Sequence, residues 1–242
     1  RGRILGAQRV STIAEARTAP PDTNRTVVGT VLVTPGVLGR QYFYLGDASG
    51  GLQIYQHKSD FPALTVGDTI EVSGTTSRAG GEPRLKTDNA TAMRRINGGD
   101  PPTAKPYAIA ELTATSSGTL VQIAGEVTET RGRNFTFDDG SSELTVALWQ
   151  GATAEDLPVV GAKGTVIGVI VPPDDGLRLR PRGSTDLQLT APFTTAPRTL
   201  TVFPAMTIFF ELATRHPKYG SLSHFMSPPL AWLVRSSSSI GA

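Results

Sequence analysis

Three tyrosines, Tyr42, Tyr44 and Tyr55, fall at alternate positions of two short segments rich in strand-forming residues, and Arg84 and Lys86 follow in a third. Flat rings beside cations are the combination that stacks bases and tracks phosphates along a single strand, each stacked base being worth about 1–3 kcal/mol. The competing reading is that the tyrosines suit strands or pack against a neighbouring domain. Catalytic constellations are thin by comparison. Asp138 and Asp139 are adjacent carboxylates, but Gly46 and Asp47 occupy the matching place earlier in the chain, and Asp and Gly suit a β-turn there. The histidines, His57, His216 and His224, are too scattered for a metal site. Cysteine is absent, which removes disulfides, thiol catalysis and cysteine-based zinc sites. Neither a G-x-S-x-G nucleophile elbow nor a phosphate-cradling G-x-x-x-x-G-K occurs. The expectation is a binding protein, not an enzyme, with no cofactor and no metal.

The elements that position these residues occur twice, about 94 residues apart. Ile13-Ala14-Glu15 recurs as Ile109-Ala110-Glu111, and Val28-Gly29-Thr30-Val31 as Ala124-Gly125-Glu126-Val127. Phe43-x-Leu45 matches Phe135-x-Phe137, Leu52-x-Ile54 matches Leu144-x-Val146, and Arg84-Leu85-Lys86 matches Arg178-Leu179-Arg180. So long a period signals a duplicated domain, because solenoid units run to roughly 20–50 residues. The expected domains are 8–97 and 102–191, joined by the glycine–proline run from Asn97 to Pro102, with 192–242 as an irregular tail or truncated further segment.

Each copy reads as a short helix and five strands. Ser11 or Thr12 can cap a turn through Ile13–Ala16, with Glu15 suiting the positive helix end. Strands are expected near Thr26–Thr34, Gln41–Gly46, Gly51–Gln56, Thr69–Thr76 and Glu82–Thr91. In the second copy they fall near Thr119–Thr128, Asn134–Asp138, Glu143–Gln150, Gly164–Val171 and Leu177–Leu189. Asp60-Phe61-Pro62 and Glu155-Asp156-Leu157-Pro158 leave room for one helical turn at most between third and fourth strands. A glycine in the first strand permits the sharp coiling that closes a small barrel. The expected class is all-β, two tandem five-stranded Greek-key barrels.

The run Val27-Val28-Gly29-Thr30-Val31, then Tyr42-x-Tyr44-Leu45-Gly46-Asp47-x-Ser49-Gly50-Gly51-Leu52, then Val66-Gly67-Asp68-x-Ile70-x-Val72-x-Gly74, resembles a bacterial OB-fold module. Such modules are similar to the nucleic-acid-binding OB domains that accompany extracellular nucleases and phosphoesterases. The resemblance covers roughly residues 10–190 and implies a secreted or cell-surface setting within a larger protein, with a cytoplasmic one left open. It is better evidence for fold than for ligand, since OB barrels host several ligand classes.

Comparing the copies sets the register. Phe43, Leu45, Leu52 and Ile54 match Phe135, Phe137, Leu144 and Val146 and point inward. The outward face of the second and third strands, where OB folds commonly bind, is then Tyr42, Tyr44, Gln53, Tyr55 and His57 in copy one. Lys58, Arg78, Arg84 and Lys86 complete the expected nucleic-acid surface. Copy two presents Asn134, Thr136, Thr145, Ala147 and Trp149, with Arg133, Arg178, Arg180 and Arg182 as its cationic candidates; its arginine row reads equally as a solvated strand face. Asp174 and Asp175 would sit at its ligand rim. The expected partner is single-stranded nucleic acid, bound mainly by copy one. The alternative is a structural or protein-interaction spacer, and an oligosaccharide-binding barrel is a remote third.

Composition is compatible with either of the first two. The 242-residue chain is 38% hydrophobic, with 26 Gly and 18 Pro, and its net charge of +2 is no electrostatic footprint by itself. Binding to phosphates would have to rest on local patches. The tail from about Pro197 matches neither copy, and Thr199–Leu212 is too short to span a bilayer. The chain opens on Arg1, which reads as a fragment or a processed chain.

Overall fold

A strand that serves two neighbours at once closes each half of this chain into a barrel. In the computed structural model, which describes residues 9–172 and 176–192, β1 (Val10–Ser11) precedes helix α1 (Ile13–Thr18) and the long strand β2 (Asn24–Val33). Next come β3 (Tyr42–Asp47), β4 (Gly50–Gln56), β5 (Thr69–Ala79), β6 (Glu82–Thr87) and β7 (Met93–Asn97). β2 pairs with β5 from Asn24 to Thr30 and with β3 from Thr30 onward. The bend falls at Gly29, where an added Cβ would stand 3.0 Å from the Gly46 carbonyl oxygen. β4 and β6 pair in parallel, Gln53 opposite Arg84 and Tyr55 opposite Lys86. The closed order β2-β3-β4-β6-β5-β2 is the five-stranded Greek-key barrel of the OB fold.

The second half repeats the plan. β8 (Lys105–Pro106) leads to β9 (Leu120–Arg131), β10 (Asn134–Asp138), β11 (Glu143–Ala147), β12 (Lys163–Val171), β13 (Arg178–Arg180) and β14 (Leu187–Thr190). β9 pairs with β12 up to Glu126 and with β10 beyond it. Gly125 takes the place of Gly29, and a Cβ there would meet the Asp138 carbonyl oxygen at 2.3 Å. The first-strand glycine is therefore a closure residue in both copies.

One expectation is corrected. The last strand of each copy is not continuous. In the first, Asn89 caps a turn over Ala90–Ala92 through its side chain and splits β6 from β7. In the second, Pro181 removes a donor and a turn at Ser184–Asp186 splits β13 from β14. A short helical turn precedes each barrel, as expected, but the two differ in kind. Thr12 and Glu15 form a full capping box on α1, but the second copy has only a 3₁₀ turn over Ile109–Glu111. Thr113 there accepts no helical continuation; its amide donates to the Ser116 hydroxyl and starts another turn.

The duplicated Ile-Ala-Glu and Asp-x-Ser segments now have one explanation. Asp47 accepts the Ile13 amide at 2.9 Å and Ser49 the Ala14 amide at 2.9 Å. Asp139 accepts the Ile109 amide at 2.6 Å and Ser141 the Ala110 amide at 3.1 Å. A β-turn carboxylate and serine hydroxyl thus satisfy two orphan amides of a helical turn whose isoleucine, Ile13 or Ile109, plugs the barrel. Burial would raise the Asp139 carboxyl, but bonds from Ser141 and three backbone amides outweigh it and hold the group below its ordinary range.

Two apolar cores fill the barrels, one around Phe43, Leu45, Ile54 and Leu85, the other around Phe135, Phe137, Val146 and Leu179. The sequence-derived inward register holds throughout. A third cluster lies between the barrels: Leu32, Val33, Leu38 and Tyr44 of the first meet Ala104, Leu120 and Val169 of the second. The tightest point is glycine on glycine. A Cβ on Gly51 would stand 1.8 Å from the Gly118 carbonyl oxygen, and Gly118 itself has φ +77°. The two barrels share a packed interface. The tail readings, including Thr199–Leu212, and the Asp174–Asp175 rim lie outside the described residues. No helix among the described residues is long and apolar enough to cross a membrane. Gly51→Ala is predicted to lower unfolding stability by about 1–3 kcal/mol or more through overpacking against backbone. Gly183→Ala, where nothing lies within 4 Å, should change it by less than about 0.5 kcal/mol in the same urea titration.

Candidate nucleic-acid interface

Alternation places Tyr42, Tyr44, Gln53 and Tyr55 on the outside of the first barrel, as expected, but outside the barrel is not outside the protein. Tyr44 is 1% exposed and Gln53 7% exposed. The second barrel covers them. The Tyr44 hydroxyl donates to Glu82 Oε1 at 3.0 Å, and Gln53 Nε2 donates to Glu82 Oε2 at 2.7 Å. From the second barrel the Ser117 hydroxyl reaches Glu82 Oε1 at 3.4 Å. Burial pushes the Glu82 carboxyl up to about 7, even though the bonds from Tyr44 and Ser117 and the fields of Arg17 and Arg180 pull it down. Burial and the nearby Glu82 likewise raise the Tyr44 hydroxyl well above its ordinary value.

The other two rings are engaged as well. Tyr42 is half-buried: its hydroxyl donates to the Leu38 carbonyl at 2.7 Å, and its ring meets Tyr44 edge-on at 5.9 Å. Gly39 lies against that ring so closely that a Cβ would stand 2.2 Å from it. The Arg84 guanidinium covers Tyr55 at 4.2 Å and is fixed by a bond to the Ser77 hydroxyl at 3.0 Å. A contiguous row of three open tyrosines therefore does not exist, because the neighbouring barrel, a glycine loop and an arginine each take one. Lys86 is exposed beside the Tyr55–Arg84 pair. Arg78 stands elsewhere, bonded to the carbonyls of Gly81 and Arg17.

What the fold does assemble is a cleft of about 830 Å³ that takes walls from both barrels. The first contributes Arg40, Tyr42, His57 and Lys58; the second contributes Arg133, Trp149 and Arg180. Among the described residues, no Asp or Glu lines it. The loop after β2 supplies Arg40, the end of β4 supplies His57 and Lys58, the β9–β10 turn supplies Arg133, and the end of β11 supplies Trp149. Gln41 Nε2 donates to the His57 carbonyl at 2.7 Å, which ties the first barrel's rim together. The Arg133 guanidinium donates to the Trp149 carbonyl and does the same for the second. The Gln150 amide donates to the Val37 carbonyl at 2.8 Å and links the two rims. In a chain of net charge +2, this is a concentrated cationic site with a half-buried indole in its wall.

The arginine row of the second copy divides by role. Arg180 lines the cleft, but its Nη2 donates to the Leu38 carbonyl of the first barrel at 3.2 Å. Arg182 is a structural residue: it holds Asp186 with two bonds of 2.8 Å and reaches the Leu32 carbonyl at 3.4 Å. Neither is a solvated strand face, because the first barrel lies where solvent was expected. Arg178 sits half-buried on β13 and does not line the cleft. Sequence reasoning missed Arg40, whose signal was its place between Gly39 and the tyrosine strand, in the first loop of an OB barrel. It also missed Glu82, two positions before Arg84 and so on the same outward face. Among the described residues, no group of three or more His, Asp or Glu is placed to hold a metal ion.

The site thus sits on a pair of docked OB barrels. No protein-family model and no curated protein sequence matches the chain. Among solved structures it is similar to the hypothetical protein ygiW from E. coli, at 18% identity and TM-score 0.30 over 38% of this chain and 91% of that one. It is similar to an OB domain from Methanosarcina mazei, at 13% identity and TM-score 0.32 over 39% of this chain and 89% of that one. A single-stranded DNA binding protein from Thermus aquaticus matches at 15% identity and TM-score 0.24, over 74% of this chain and 98% of that one. The assignment of the fold rests on the strand order and closure described above. Tyr44→Phe should cost about 1–3 kcal/mol by leaving Glu82 short of a donor at the junction. Tyr44→Ala should cost about 3–5 kcal/mol, compared by urea unfolding with a near-neutral Lys86→Ala.

Proposed function

We propose that this chain is a non-catalytic tandem OB module that binds single-stranded nucleic acid across the cleft between its barrels. The observation that carries the reading is the lining: among the described residues it holds four Arg and Lys side chains and a histidine from two barrels, an indole, a tyrosine, and no carboxylate. Phosphates would meet Arg40, Lys58 and Arg133, which are exposed, while Trp149 offers a stacking surface. Tyr55, Arg84 and Lys86 would extend the path along the first barrel beyond His57. The setting that goes with this reading is a larger secreted or cell-surface protein, as the sequence resemblance implies.

A second reading is favoured by one observation, the burial of Tyr44 and Gln53 in the interbarrel contact. It makes the pair of barrels a rigid spacer or protein-interaction module. Fluorescence polarisation with labelled single-stranded DNA separates the two. Affinity should fall with salt at about 0.7 log units per log unit for each phosphate contact. The triple variant Arg40→Ala, Lys58→Ala, Arg133→Ala should weaken binding and reduce that slope by roughly 2. Binding that ignores both salt and the triple variant contradicts the cleft, and absence of binding at low salt leaves the spacer.

A further inference from the structure

We propose that the contact between the two barrels is a proton-sensitive latch centred on the Glu82 carboxyl, closed while the carboxyl holds its proton and loosened when it ionises. Glu82 lies at the start of β6, 7% exposed, where the two barrels meet. Its partners are neutral donors: the Tyr44 hydroxyl from β3, the Gln53 amide from β4, and the Ser117 hydroxyl from the loop before β9. Among the described residues no cation forms an ion pair with it. The two cations whose fields reach it are committed elsewhere. Arg17 of α1 donates to the Thr115 carbonyl at 2.9 Å, and Arg180 of β13 donates to the Leu38 carbonyl at 3.2 Å. Arg78 of β5 donates to the Arg17 carbonyl at 3.3 Å, and its field lowers the Arg17 guanidinium.

A buried carboxylate without a counter-ion is costly, and the cheapest relief is hydration. Moving the second barrel away from the first hydrates Glu82, since Ser117 bonds it and the neighbouring Gly118 meets Gly51 on that side. Opening would return the carboxyl from about 7 to its ordinary range. The closed state therefore binds more protons than the open state between those two values. Its stability relative to the open state is full at low pH and declines as pH rises through that window. Asp68 and Asp139, whose carboxyls are held below the ordinary range, titrate outside it. His57 is exposed at the cleft and is controlled with His57→Gln. A ligand that spans both barrels would favour the closed form, but the latch does not depend on the proposed function.

The reporter is the Gln150 amide, which bonds across the junction to the Val37 carbonyl. Its hydrogen exchange, corrected for the intrinsic rate, is measured on the full chain without nucleic acid at pH 5 and pH 8.5. Protection should fall on the order of a hundredfold in the native protein, while amides of the barrel cores keep theirs. Glu82→Gln should abolish the fall. Tyr44→Phe, which removes a bond that favours the ionised form, should keep the fall and move its midpoint to higher pH. Equal protection at both pH values, the same fall in Glu82→Gln, or an unmoved midpoint in Tyr44→Phe would each overturn the latch.

Discussion

The first barrel carries a polar face that must be taken out of water, and the rest of the structure follows from that burial. Tyr44, Gln53 and Glu82 project from three adjacent strands and satisfy one another before the second barrel arrives. Burying polar groups is tolerable only when their bonds are made. Ser117 completes the set, and two facing glycines let the backbones approach closely enough for the seal. Once the barrels are fixed in this way, loops that would be separate rims become opposite walls of one cleft.

The duplication made the barrels legible and the junction illegible, for the same reason. Phe43, Leu45, Leu52 and Ile54 share their places with Phe135, Phe137, Leu144 and Val146 because each copy must fill a barrel of the same size. Strand alternation then separates inside from outside. It does not tell what lies outside. Tyr44 and Tyr42 have the same parity, yet one is sealed under the second barrel and the other borders the cleft. Contacts such as Arg182 to Leu32 or Arg180 to Leu38 join residues far apart in the chain and leave no period to read. Glu82 reads as a surface charge because only the fold brings Ser117 to it.

The mismatched positions of the repeat also take a different meaning. Tyr44 and Gln53 against Thr136 and Thr145 looked like a binding face retained in one copy and lost in the other. They are instead the two outcomes of an asymmetric dock, in which the first barrel offers this face and the second offers the loops around Ser117 and the strand end at Val169. The cationic residues are likewise shared out, Arg40 and Lys58 on one side and Arg133 on the other. The proposed binding surface belongs to the pair and to neither barrel alone.

Backbone amide chemical shifts during titration with a short single-stranded oligonucleotide test this most directly. Perturbations are predicted to appear together at Arg40, His57 and Lys58 in the first barrel and at Arg133, Trp149 and Gln150 in the second. Perturbations confined to one barrel, for instance to Tyr55, Arg84 and Lys86 alone, would contradict a composite site.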